Sequence, residues 1–320
     1  MTKSILATAL VSIFILSCNR DDNTIPKVPN PESVIISRPE LFPEGITFDN
    51  NRKQFIVSST TNNGTYTVAD NGTSTALSTD PNMQSSYGLK ADVSRNNLYV
   101  AGIGLGTDKA QFSTYNLTSG ALVRSIDLGA VSANPNGRHV ANDVCFDNNG
   151  NAYITDSYSP IIYRVTSSGV ASVLITNPAL NPSDPTGATF SFGLNGIEYV
   201  ANGNYLLVSN YDFGTIHKIS LDNIAGFSST PVIDTNGNLD GMVLLPNGKI
   251  AVVSNGTEPA NVLILSSTDN FNTATIEKTI ALKSGVATTL TMRENDLYVI
   301  YSKLGLTSPQ STFEIGKVTY

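Results

Sequence analysis

One pattern of hydrophobic and polar positions recurs along this chain. A polar or small lead residue, usually followed by Gly or Asp, opens a short strand of alternating aliphatic residues. A turn of Asn, Gly or Asp follows, then a second apolar strand. The copies run from Glu44-Gly45-Ile46-Thr47-Phe48 to Phe55-Ile56-Val57 and from Tyr87-Gly88-Leu89 to Leu98-Tyr99-Val100. The third and fourth run from Asn142-Asp143-Val144 to Tyr153-Ile154-Thr155 and from Asn195-Gly196-Ile197 to Leu206-Leu207-Val208. The fifth runs from Asp240-Gly241-Met242 to Ala251-Val252-Val253, and a less regular sixth from Thr288-Thr289-Leu290 to Leu297-Tyr298-Val299. The lead residues lie about 50 residues apart, the spacing of one four-stranded sheet per repeat in a β-propeller. Outer strands are legible at Tyr66–Val68, Ile161–Val165, Ile216–Ile219 and Val262–Leu265. The last copy has only Phe313–Tyr320 as an outer strand, while Ser33–Ser37 is a spare strand before the first copy. The pattern therefore predicts an all-β, six-bladed β-propeller over residues 33–320, its sixth blade closed by the N-terminal strand. Such closure removes open sheet edges.

Composition adds to this picture mainly by exclusion. The chain has 320 residues, 14% charged, with 19 Lys+Arg against 26 Asp+Glu and a net charge of −7. That balance disfavours nucleic acid as a partner, because phosphate binding needs a basic face. Two cysteines are too few for a disulfide scaffold. No Gly-Lys-Ser/Thr phosphate loop, metal-binding His pair or Gly-x-Ser-x-Gly elbow occurs.

The N-terminus reads as an address. Lys3 precedes the apolar run Ile5–Leu16, which stops at Ser17-Cys18. The run is too short to span a bilayer as a helix. A small residue directly before a cysteine resembles a bacterial lipoprotein signal, which implies removal of residues 1–17 and lipidation of Cys18. Asn19-Arg20-Asp21-Asp22 resembles the surface-export signal of Bacteroidetes lipoproteins. Residues 18–32 read as a flexible, proline-containing tether. The expected location is the outer membrane, facing periplasm or exterior, with membrane contact only through the lipid. Cys145, between Val144 and Phe146, reads as a buried inert thiol.

The repeats differ at their lead positions, and there chemistry enters. Inner strands of a propeller line its central channel, so corresponding residues face one another. Glu44, Asn142, Asn195 and Asp240 would bring two carboxylates and two amides to one mouth. Converging oxygens of this kind call for a cation, and a set without His or Cys favours Ca2+. The same residue types are also ordinary turn formers before a strand, and an ion there could equally be a structural plug. The second strands return to this mouth, which makes Asp156, Asn210 and Asn255 candidate substrate or supporting contacts. Two long loops also end there, residues 129–141 and 177–194. The second carries Phe190 and Phe192, candidate substrate contacts or loop anchors. His139, just before a lead residue, is a candidate proton shuttle. His217, on an outer strand, reads as a surface or packing residue.

At Pro43-Glu44-Gly45, Asn142-Asp143, Asn195-Gly196-Ile197 and Asp240-Gly241-Met242 the sequence resembles the senescence-marker-protein/gluconolactonase (regucalcin-like) family. The likeness spans about residues 40–300. It implies a six-bladed fold and a metal site of glutamate, two asparagines and aspartate in that order. It also implies metal-dependent hydrolysis of a small lactone or ester, with Asp240 or Glu44 assisting as base. The competing expectation is a non-catalytic propeller that binds a glycan-derived ligand or serves as a scaffold around a structural ion. A monomer is expected in either case.

Overall fold

In the computed structural model, residues 29–106 and 108–320 are described. The proposed signal segment, Cys18 and the tether as far as residue 28 lie outside them. The described chain is built from antiparallel strands arranged as six four-stranded sheets, with four short 3-10 turns. Five sheets are continuous in sequence. The first comprises Ile46–Asp49, Gln54–Val57, Gly64–Val68 and Ser74–Thr79. The inner strands of the next four are Met83–Asp92, Ala141–Phe146, Leu194–Val200 and Leu239–Leu244. The sixth sheet runs Ala287–Arg293, Asp296–Tyr301, Phe313–Val318 and finally Ser33–Ile36. The spare N-terminal strand thus completes the last blade, pairing from Ser33 with Gly316 to Ile36 with Phe313. Each inner strand packs against the inner strands of both neighbours, first against sixth included, so the six blades form a ring.

The sheets are buried on both faces by one another, which explains their apolar strands. Apolar clusters lie at the blade junctions. Phe48, Phe55, Tyr298 and Phe313 join blades one and six around Val34 and Ile36. Tyr99, Phe112, Ile154 and Tyr163 join blades two and three. Exposure rises toward the outside: the outermost strand of blade five, Thr275–Ala281, is almost wholly exposed.

The hairpin turns have a side-chain device the pattern did not announce. Asp49 and Asp92 end inner strands and Asp147 directly follows one, and one carboxylate oxygen of each accepts one or two backbone N–H groups of the turn, at 2.9–3.2 Å. Such caps satisfy donors that would otherwise be stranded at the bend.

Candidate functional site

The lead residues stand where the inner strands lose their regular pairing. In blades two to six, the lead residue and the one after it oppose a single residue of the neighbouring strand. Ala141 pairs with Asp156 but Val144 with Ile154, so Asn142 and Asp143 share Thr155. The same shift brackets Tyr87-Gly88, Asn195-Gly196, Asp240-Gly241 and Thr288-Thr289. A bulge of this kind breaks the alternation of a strand and re-aims its side chains. In blade one the strand starts after the lead, and Gly45 is tied instead to Ser58, which accepts its N–H at 2.7 Å.

The freed lead carbonyls are taken up by hydroxyls of the preceding blade. Thr155 donates to Asn195 O at 2.7 Å, Ser209 to Asp240 O at 3.0 Å and Thr288 to Glu44 O at 2.6 Å. The backbone is equally tight: a Cβ on Gly45 would lie 2.4 Å from Tyr87 O, and one on Gly88 2.6 Å from Asn142 O. At Gly45, Gly88, Gly196 and Gly241 glycine is therefore required by close approach between blades, while blades three and six carry Asp143 and Thr289 at this position.

Glu44, Asn142, Asn195 and Asp240 are all buried and line one cavity of about 480 Å3. Glu44 Oε2, Asn142 Oδ1 and Asn195 Oδ1 have no hydrogen-bond partner. Buried polar atoms rarely remain so, because each forfeits its hydration. Asp240 is held more firmly: Gly241 N–H donates to Oδ1 at 3.1 Å and Asn255 Nδ2 to Oδ2 at 3.0 Å. Burial pushes the Glu44 carboxyl well above the usual range, and the nearby charges of Asp240 and Asp143 push it further. Burial also raises Asp240, against the hydrogen bonds from Gly241 and Asn195. Among the described residues no three His, Cys, Asp or Glu form a cluster suited to a metal. The oxygen set here is half amide.

Below the ring, Lys90 of blade two is paired with Glu198 of blade four. Asp143 accepts the N–H of Val144 at 2.8 Å and of Ile197 at 3.2 Å. Cys145 is buried beside this group and its thiol is pushed up by burial.

The remaining sequence candidates divide. Phe190, Phe192 and Asn255 line the cavity with the ring. His139, Asp156 and Asn210 do not. His139 Nδ1 lies 2.7 Å from Asp156 Oδ2, and its Nε2 2.9 Å from Asn134 O and 3.2 Å from Ser132 Oγ. Asp156 also accepts from Tyr163 OH at 2.8 Å and from Val140 N at 3.0 Å. The trio holds the loop at residues 129–141 instead of facing the cavity. Asn210 likewise donates to Asn181 O at 2.9 Å and ties down the loop at residues 177–194. His217 is buried against Phe227, and burial lowers its imidazole to about 4.

Sequence reasoning did not name Thr60, Val286, Leu304 and Gly305, which also line the cavity. Thr60 and Leu304 follow the second strands of blades one and six. Each lies past the end of its strand, whereas Asp156 and Asn210 end theirs and Asn255 directly follows its own, so these residues share the same end of the hairpin but no fixed register.

No protein-family model and no curated protein sequence matches the chain. Solved structures do resemble it. The major allergen Mala s 1 of Malassezia sympodialis is 16% identical, with a TM-score of 0.66, covering 90% of this chain and 96% of that one. Regucalcin of Agrobacterium tumefaciens, described as a calcium-binding protein, is 17% identical, with a TM-score of 0.62 over 90% and 94%. A gluconolactonase of Xanthomonas campestris is 13% identical, with a TM-score of 0.58 over 88% of each chain. The regucalcin and gluconolactonase resemblance thus holds at the level of the fold.

Proposed function

We propose that the cavity holds a divalent cation, Ca2+ by its donor chemistry, and hydrolyses a small lactone or ester outside the cytoplasm. The observation that carries this reading is the set of three buried, unpartnered oxygens on Glu44, Asn142 and Asn195 beside Asp240. Two carboxylates balance one divalent charge, and oxygen-only donors suit a hard ion. When bound, such an ion supplies Lewis-acid polarisation of a carbonyl and acidifies water. The names of two structural neighbours, a calcium-binding regucalcin and a gluconolactonase, agree with this reading.

The chain's own residues have definite parts. Asn255 and Gly241 fix the Asp240 carboxylate in one orientation. Asp240 or Glu44 accepts a proton as water oxygen adds to the carbonyl carbon. The acyl C–O bond then breaks, and the proton passes to the departing alkoxide, giving a hydroxy acid or an alcohol and an acid. The N-terminal segment supports lipidation at Cys18 and an outer-membrane location, so the substrate would be met in the periplasm or outside the cell.

The test is hydrolysis of a lactone and ester panel in Ca2+ or EDTA, with Asp240→Asn alongside. We expect turnover only with the ion, a loss of roughly a hundredfold or more in Asp240→Asn, and a lower melting temperature in EDTA. Ion-dependent melting without turnover of any substrate would favour a binding or scaffold protein with a structural ion. Melting that ignores EDTA would remove the ion.

A further inference from the structure

The cavity's walls have a chemistry of their own. Phe190 and Phe192 stand on the loop before blade four, while Val286 and Leu304 flank the inner hairpin of blade six. Blades four and six lie on either side of blade five, so apolar groups approach the oxygen ring from separate sectors of the mouth. Phe190 is 87% exposed, the most exposed large apolar side chain among the described residues. It does not stand there by looseness. Asp184 accepts Thr186 N–H at 2.9 Å and Thr189 N–H at 2.7 Å, and Asp212 accepts Ser183 Oγ–H at 2.8 Å. Together with the Ser191 Oγ–H bond to Asp212 at 2.5 Å, these bonds stitch the loop on both sides of the phenyl ring.

Behind it the aromatic surface continues. Phe190 and Phe192 have centroids 5.0 Å apart, Phe192 meets Tyr158 edge-on at 5.3 Å, and the Arg138 guanidinium lies 4.1 Å over Tyr158. A rigid, exposed aromatic wall at a cavity mouth is a surface prepared for a flat apolar partner.

Charge narrows the partner further. Among the described residues, no Lys, Arg or His lines the cavity. Nearby cations are committed elsewhere: Arg138 donates to Asp108 at 3.1 Å, Lys303 to Thr312 O at 2.6 Å, and Lys90 is paired with Glu198. With Glu44 and Asp240 matched by one divalent ion, a further negative charge would be buried without a counter-charge. The volume, about 480 Å3, suits a small molecule of one or two rings.

Building on the hydrolase reading, we infer that the substrate is an uncharged lactone or ester bearing an aryl or similarly flat apolar group, which seats on Phe190 and Phe192. Phosphorylated and carboxylated sugars are excluded, and polyhydroxylated lactones are poor substrates because the wall leaves their hydroxyls unpaired.

The experiment uses the full-length Ca2+-loaded protein. Turnover is compared for dihydrocoumarin, δ-valerolactone and glucono-1,5-lactone, and binding is titrated with 2-tetralone, a ring analogue that cannot be hydrolysed. We expect kcat/KM for dihydrocoumarin to exceed that for glucono-1,5-lactone at least tenfold. Phe190→Ala, with an unchanged melting temperature, should shrink the dihydrocoumarin to δ-valerolactone ratio about tenfold. Preference for glucono-1,5-lactone, or a ratio unmoved by Phe190→Ala, overturns the inference and leaves the hydrolase reading standing. Saturable 2-tetralone binding that Phe190→Ala weakens, without turnover of any substrate, sustains the apolar subsite and overturns the hydrolase. Neither turnover nor 2-tetralone binding overturns both.

Discussion

His139 sits near the ring in sequence but serves the loop beside it. Burial alone would depress its imidazole, yet the hydrogen bond and charge of Asp156, helped by Asn134 O, outweigh burial and raise it above the ordinary value. A raised imidazole stabilises the fold fully below its unfolded pKa and loses that contribution as pH rises through the folded one. His139→Gln should therefore cost more stability at about pH 5.5 than at about pH 9.5 in urea unfolding. Equal losses at the two pH values would show that the bond to Asp156 stabilises without charge. The contrast with Asp240 is one of surroundings. Asp240 faces unpartnered oxygens across a cavity, whereas Asp156 spends its two oxygens on His139, Tyr163 and backbone N–H groups. The sequence made Asp240 a candidate ligand and base, and Asp156 a candidate substrate or supporting contact.

At the scale of the strand, the bulge and the glycine after it form one device. The bulge turns the lead side chain toward the channel, and glycine lets the next blade's backbone close in. Blade three carries Asp143 in place of that glycine, and the Asp143 carboxylate spends itself on Val144 and Ile197 N–H groups. Gly88→Ala would drive a Cβ into Asn142 O and Asp143. We expect a cost of about 1–3 kcal/mol from overpacking, together with weaker Ca2+ binding because Asn142 is displaced. Thermal melts with and without Ca2+ read both effects. A variant melting with the parent would show that the blades have slack at the axis.

Across the whole molecule, stability depends on closing the ring with residues far apart in sequence. Ile36 packs among Phe48, Phe55, Tyr298 and Phe313, while the adjacent Ile35 faces solvent. Ile36→Ala should cost about 2–5 kcal/mol and Ile35→Ala little; comparable losses in urea unfolding would mean that the strand's pairing matters and its buried face does not. The architecture was legible because each repeat writes the same local pattern: alternation sets the strands, and turns rich in Asn and Gly set the hairpins. The spare strand at residues 33–37 and the missing fourth strand of the last copy matched by simple counting. The order of Glu44, Asn142, Asn195 and Asp240 was legible for the same reason, since one register repeated around a ring must converge. The sequence did not reveal that three of their oxygens stay unpartnered, that His139, Asp156 and Asn210 turn into loops, or that Phe190 stands exposed at the mouth. Those facts depend on bulges, loop paths and contacts between blades, where partners lie tens to hundreds of residues apart and no local period records them.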